Sequence, residues 1–250
     1  MHKPLPHLYI LFYALFCLTA LLAAISIISD VLPNNTQPHS AKSHGGETLG
    51  AIGWVNEAEA LARQGNFGDA LPLYEKAISA LSDFPSQQHT LRYRYGIVLN
   101  ALGAQSRPDL YPLARAQFQS VLRYLDSGAQ LPHSSARVRS ALAHTYHRQA
   151  ASEEVTTQRE YLLSTAYLLY KSALEGLLNQ EEWQNLSITY FNLGQVCEWQ
   201  GNLEEAIHWL ERAVQLDLQH KLPDLDEDSD YLTALRQQVE PVQQNRETTL

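Results

Sequence analysis

Few residues in this chain have the types and spacing of a reactive centre. His144 and His147 stand three apart, so on a helix both imidazoles turn to one side, as two metal ligands would. No cysteine or carboxylate joins them at ligand spacing, so no metal site is expected. Asp224, Asp226, Asp228 and Asp230 alternate like the opening of a calcium loop. Such a loop needs glycine at its sixth place and a bidentate glutamate at its twelfth, where this chain has Ser229 and Leu235. The run is therefore expected to be a solvated acidic linker. Cys17 and Cys197 lie too far apart in kind and place for a stapling disulfide. Asn34-Asn35-Thr36 and Asn185-Leu186-Ser187 match glycosylation sequons, which matter only in a eukaryotic lumen. The sequence holds no glycine-rich phosphate loop, no His-Glu-x-x-His, no nucleophile elbow and no Cys-x-x-Cys. No enzyme activity and no cofactor are expected.

The charge balance narrows the partners. The chain carries a net charge of −9, and −10 once Lys3 is set aside, since Lys3 is the one formally charged side chain before Asp30. That balance excludes nucleic acid as an expected partner, because a polyanion is repelled. It likewise argues against the region after residue 30 lying on anionic lipid.

The elements that would position any site begin with an apolar block, Leu8 to Ser29, which has no charge and no polar stripe. At about 1.5 Å per residue a helix of this length spans the ~30 Å hydrocarbon core, whereas the apolar part of a cleaved signal is only ~7–15 residues. Bulky Phe16 before Cys17 speaks against lipoprotein processing. A transmembrane helix over residues 8–29 is expected, with residues 1–7 as a cytoplasmic stub. His2, Lys3 and His7 precede it and Asp30 follows, so the positive-inside rule exports the C-terminal part, to the periplasm in a bacterium. Residues 30–50, with Pro33, Pro38, Gly45 and Gly46, read as a flexible linker of roughly 25 Å end to end.

From Ala51 the apolar residues recur at three and four, as in Leu71, Tyr74, Ala77, Ile78 and Leu81, and an all-α fold is expected. Four segments place small residues seven apart: Ala58 and Gly65, Gly96 and Gly103, Ala143 and Ala150, Gly194 and Gly201. Each precedes a second helix with a small residue, a bulky one four later, and a small or β-branched one three beyond. These sets are Ala70, Tyr74, Ala77; Ala114, Phe118, Val121; Ala166, Tyr170, Ala173; and Ala206, Leu210, Ala213. Antiparallel helices approach closely only where side chains are small, and the bulky residue fills the gap alongside.

This arrangement resembles the tetratricopeptide repeat family. The match is best at Tyr190, Leu193, Gly194, Cys197, Gly201-Asn202, Ala206, Leu210 and Ala213, and nearly as good at Trp54, Ala58, Leu61, Gly65-Asn66, Ala70, Tyr74 and Ala77. In the middle units the second-helix alanines fall 44 and 52 residues after the preceding ones, against ~34 in a regular array. The extra residues lie near 104–109, where Pro108 breaks the chain into a loop, and near 151–161, where both helices can lengthen. The resemblance implies an α-solenoid of about four hairpins over residues 51–220. An acidic linker, a capping helix around Asp230 to Glu240 and a frayed tail then fill residues 221–250.

The resemblance also implies a concave groove, lined by first helices, that takes a protein or peptide partner. The matched positions are Asn56, Glu59, Tyr93, Arg94, Ile97, Arg137, His144, His147, Asn192 and Gln195. The amide of Asn192 suits a peptide backbone, and Arg94 and Arg137 suit a carboxylate. Val55 and Glu59 stand where chaperone-tail receptors of the family use lysine and asparagine, so that specificity is not expected. The tryptophans, Trp54, Trp183, Trp199 and Trp209, read as packing residues. The implied function is a single-pass membrane scaffold supporting a membrane-associated complex. The alternative is an accessory subunit docked through its transmembrane helix, where Ala20, Ala23 and Ala24 offer small surfaces.

Overall fold

A computed structural model describes residues 44–247, with side chains for residues 50–238. The expected transmembrane helix over residues 8–29 lies outside the described residues, as do its stub and the linker up to residue 43. Among the described residues the fold is all-α, nine helices with no strand, and no helix is long and apolar enough to cross a membrane.

The helices are α1 (His44–Arg63), α2 (Phe67–Ala80), α3 (Pro85–Gln105), α4 (Tyr111–Asp126), α5 (Ser135–Ser152), α6 (Thr156–Asn179), α7 (Trp183–Trp199), α8 (Leu203–His220) and α9 (Leu225–Glu247). They fall into two compact units that meet in sequence at Tyr124 and Leu125. The first holds the hairpins α1/α2 and α3/α4. The second holds α5/α6, α7/α8 and α9. The described helices thus form a helical repeat arrangement, and α9 follows the last pair.

Local sequence explains the breaks. Gly65 (φ +78°) and Gly201 (φ +83°) adopt the left-handed conformation that side chains resist, and each is followed by asparagine. The amide of Asn66 then donates to the Leu61 carbonyl at 2.9 Å, and that of Asn202 to Cys197 at 2.8 Å, closing α1 and α7 identically. Pro85 opens α3, where its missing N–H is harmless. Ser134 caps α5 by accepting from the Arg137 amide at 2.9 Å. Left-handed Lys221 ends α8, and Pro223 prevents its continuation.

Packing follows the small-and-large code. Ala58, Ala70, Ala77, Ala114, Phe118, Val121, Ala143, Ala150, Ala166, Tyr170, Ala173, Ala206, Leu210 and Ala213 all have 0% relative exposure, and Tyr74 has 2%. A Cβ on Gly96 would lie 2.7 Å from the Phe118 ring, and one on Gly194 would lie 2.7 Å from Leu210, so bulky residues of the second helices seat over glycines of the first. One part of the pattern divides in two. Gly103 is a packing residue, 2.9 Å from Tyr111 by the same measure, whereas Gly65 and Gly201 make turns and have nothing near a Cβ. Seven-residue spacing alone does not separate these roles.

Three boundaries differ from expectation. The first helix starts at His44, so the last residues of the expected 30–50 linker are helical. The extra residues near 151–161 go chiefly into α6, which begins at Thr156, three residues after α5 has ended. The last helix starts at Leu225 and takes in most of the acidic run, and Asp228 is only 3% exposed. That run is a helical first turn with a buried carboxyl group, not a solvated linker, and α9 extends to Glu247 where a frayed tail was expected.

Candidate functional site

In the first unit the expected groove residues sit on α1 and α3. Asn56 is exposed, Arg94 and Ile97 are half-buried, and Glu59 and Tyr93 are buried. The Arg94 guanidinium forms an ion pair with Glu59, tying together the first helices of two successive hairpins. Arg94 therefore meets a carboxylate of its own chain, where the sequence reading reserved it for a partner's. The Tyr93 ring packs edge-on against Phe118 with centroids 5.8 Å apart. Beneath the ion pair, burial and the nearby Glu59 charge raise the Tyr74 hydroxyl above its usual range, so it stays a neutral phenol.

Removing one member of this pair strands the other. Arg94→Ala should destabilise the first unit by about 2 kcal/mol, short of the ~3–5 kcal/mol of a fully buried pair because both side chains keep some exposure. Adding Glu59→Gln should restore most of the loss. Thermal melts of the single and double variants read this directly, and a single variant as stable as the parent would contradict it.

The first unit also has a crevice that sequence reading missed, of about 430 Å³, between α2, α3 and α4. Its walls include Glu75, Ile78, Gln88, Arg92, Tyr95 and Gln117. Arg92 donates to Gln117 at 2.9 Å and Tyr95 to Glu75 at 2.7 Å, so its main polar groups already face one another. No spacing rule marks it, because its walls come from three helices.

In the second unit α5 carries Arg137, His144 and His147, and α7 carries Asn192 and Gln195. The Ser140 and Thr189 hydroxyls meet at 2.8 Å between these helices. Arg137 and His144 are half-buried, whereas His147, Asn192 and Gln195 are at 0%, 2% and 4% exposure. His147 lies against Trp199, centroids 4.5 Å apart, with Tyr170 at 6.3 Å and His144 at 6.5 Å. Both of its ring nitrogens are buried without a hydrogen-bond partner, as is Oε1 of Gln195. Burial, then His144 and Arg148, hold His147 far below the usual imidazole range, and close packing pulls His144 down to about 3. Fully buried, neutral His147 in aromatic surroundings is a packing residue. Among the described residues no group of three or more His, Cys, Asp or Glu side chains could hold a metal ion.

The tryptophans pack in the second unit as expected of them. Trp183 stacks on His220 at 4.4 Å, and Trp209 stacks on Tyr190 at 5.7 Å. Lys171 sits 4.5 Å over the Trp209 ring and Arg212 sits 4.5 Å over Tyr190, each a cation–π contact. Glu205 accepts from Tyr167 at 2.6 Å and from Trp209 at 3.1 Å. Burial pushes the Cys197 thiol up to about 12, so it has no nucleophilic thiolate near neutrality. The Asn185 sequon is part of α7 and its Ser187 is buried; the Asn34 sequon lies outside the described residues.

With this geometry in place, comparison with known proteins gives one family match. Residues 187–220, which run from within α7 to the end of α8, match the tetratricopeptide repeat family. The chain thus carries a tetratricopeptide repeat in its last hairpin, at the segment where the residue pattern is most regular. No curated protein matches the chain.

Proposed function

We propose that this chain is a membrane-anchored scaffold. A transmembrane helix over residues 8–29, with its N-terminus cytoplasmic, holds an exported helical-repeat domain that captures a partner protein and so supports a membrane-associated complex. The observation that carries this reading is the tetratricopeptide repeat of α7 and α8 within an all-helical fold. Such repeats generally bind protein partners and are typical of non-enzymatic interaction scaffolds. A peptide or protein segment lying along the first helices of the first unit would meet Asn56, Arg94 and Ile97, and one lying along those of the second would meet Arg137 and His144, the expected groove residues that keep exposed surface. Buried Glu59 and Tyr93 would lie beneath the first of these surfaces, and buried His147, Asn192 and Gln195 beneath the second. Confinement to a bilayer raises effective concentration, so weak groove contacts suffice.

The test uses the full chain in its native membrane with a photo-crosslinking residue at single positions. Crosslinkers at Asn56 and Arg137, on first helices, should trap one specific protein, and crosslinkers at exposed Lys76 and Lys171, on second helices, should not. The partner should still be trapped when residues 8–29 are replaced by an unrelated anchor. Equal trapping from both sets of positions would refute groove binding. Loss of the partner on anchor replacement would favour docking through the membrane helix.

A further inference from the structure

We propose that the crevice between α2, α3 and α4 binds a free dipeptide, with the ligand's carboxylate on Arg92 and its ammonium on Glu75.

Three short stripes build this crevice, whose volume is about 430 Å³. Glu75 and Ile78 stand three apart on α2, Arg92 and Tyr95 three apart on α3, and Leu113 and Gln117 four apart on α4, so each pair shares one helix face. The volume falls in the lower part of the range of small-molecule sites, about 300–1,000 Å³. All three helices belong to the first unit. Arg92 stands two residues before Arg94 on α3, and residues two apart on a helix do not share a face. Arg94 pairs with Glu59 of α1, whereas Arg92 turns to α4. The crevice is therefore a separate place from the expected groove positions of the first helices.

Its two charged side chains have only neutral partners. Nη1 of Arg92 donates to Oε1 of Gln117 at 2.9 Å, and Oε1 of Glu75 accepts the Tyr95 hydroxyl at 2.7 Å. Burial and then Glu75 itself raise the Tyr95 hydroxyl above its usual range, so it stays a neutral donor. Among the described residues neither Arg92 nor Glu75 takes part in an ion pair. The Nε–H of Arg92 is buried and meets no acceptor. That N–H and the neighbouring Nη2 form the planar guanidinium edge that grips a carboxylate with two hydrogen bonds.

An unmatched cation and an unmatched anion in one crevice select a ligand that carries the opposite of each. A phosphate lacks the second charge, and Glu75 repels it. A free dipeptide has a carboxylate, an ammonium group and a short body between them. Arg92 is half-buried and Glu75 is exposed, so the carboxylate enters first and the ammonium group stays at the mouth. Ile78, at 7% exposure, and Leu113, at 37%, give apolar surface to a side chain of the ligand. The site does not depend on what the first helices bind.

Saturation-transfer difference NMR on the full chain in detergent micelles tests it, with alanyl-leucine as the ligand. A molecule of this size should give a saturable signal with a Kd of about 1 mM or tighter. Amidating its carboxylate, or acetylating its amine, should each weaken binding about tenfold or more. Arg92→Met should remove the preference for the free carboxylate. Glu75→Gln, which keeps an acceptor for Tyr95, should remove the preference for the free amine. Glu75 is exposed, so this second variant keeps the test open should Arg92→Met not fold. A wild type without a saturable signal up to about 10 mM alanyl-leucine would overturn the proposal. Capped peptides that bind as well as the free one, or folded variants that keep both preferences, would do the same.

Discussion

Gly194→Val should unmake the last hairpin. Even the alanine Cβ would stand 2.7 Å from Leu210 Cγ and 3.2 Å from the Ala206 carbonyl oxygen. Leu210 is fully buried, and the carbonyl belongs to helix backbone. The two helices must therefore move apart along their contact. Overpacking of this kind costs typically ~1–3 kcal/mol for an added methyl-sized group, and valine adds more. Gly96→Ala offers the comparison, because its three nearest contacts, at 2.7, 2.8 and 3.1 Å, are side-chain atoms of the Phe118 ring and none is backbone. We expect Gly194→Ala to lose about 3 kcal/mol and Gly96→Ala about half of that, with Gly194→Val failing to form the α7/α8 pair. Denaturant melts of the alanine variants and far-ultraviolet circular dichroism of the valine variant decide it. A Gly194→Val chain of unchanged stability would mean that the crossing is not where the structure puts it.

His147→Phe should make the protein more stable and less sensitive to acid. The wild-type ring is completely buried, touches Trp199 and Tyr170, and leaves both nitrogens without partners. An unsatisfied buried polar group costs about 1–3 kcal/mol, and a phenyl ring of similar shape avoids it. The folded pKa of His147 lies far below its ordinary value of 6.5, so the stability is complete above pH ~6.5. As pH falls the unfolded chain takes up a proton that the native ring refuses, and about 1.4 kcal/mol is lost per pH unit. His144, pulled down to about 3, adds a share that His147→Phe leaves in place. Unfolding free energies of wild type and variant from about pH 7 to about pH 5 should therefore diverge. Parallel curves would show that the imidazole is already satisfied or already charged.

The hairpins were legible because their code is local. A small residue, then a bulky one four later, falls on one helix face whatever lies elsewhere in the chain. The turns at Gly65-Asn66 and Gly201-Asn202 were legible for the same reason, since one dipeptide fixes the geometry. The groove was less so. His147 stands one turn from half-buried His144, and periodicity does not say which of the two points under a neighbouring helix. The Arg94 partner, Glu59, lies on another helix, so the spacing of charges along α3 gives no hint of it. The acidic run misled for a different reason. Composition counts four aspartates as four charges, whereas Asp228 is buried, and burial raises its carboxyl above the usual range. That burial exists only once the chain has folded.

The left-handed glycines have a bearing on how such a chain can vary. In α1/α2 and α7/α8 the reversal is a single hinge of fixed length, and an added residue would displace the amide that closes it. Between α3 and α4, and between α5 and α6, no residue has positive φ. The first of these links, residues 106–110, is the longer, while near the second the extra residues lengthen α6 itself. These two links are the permissive joints of the chain, where a peptide tag or a new recognition loop can be grafted while the helices on either side keep their seats.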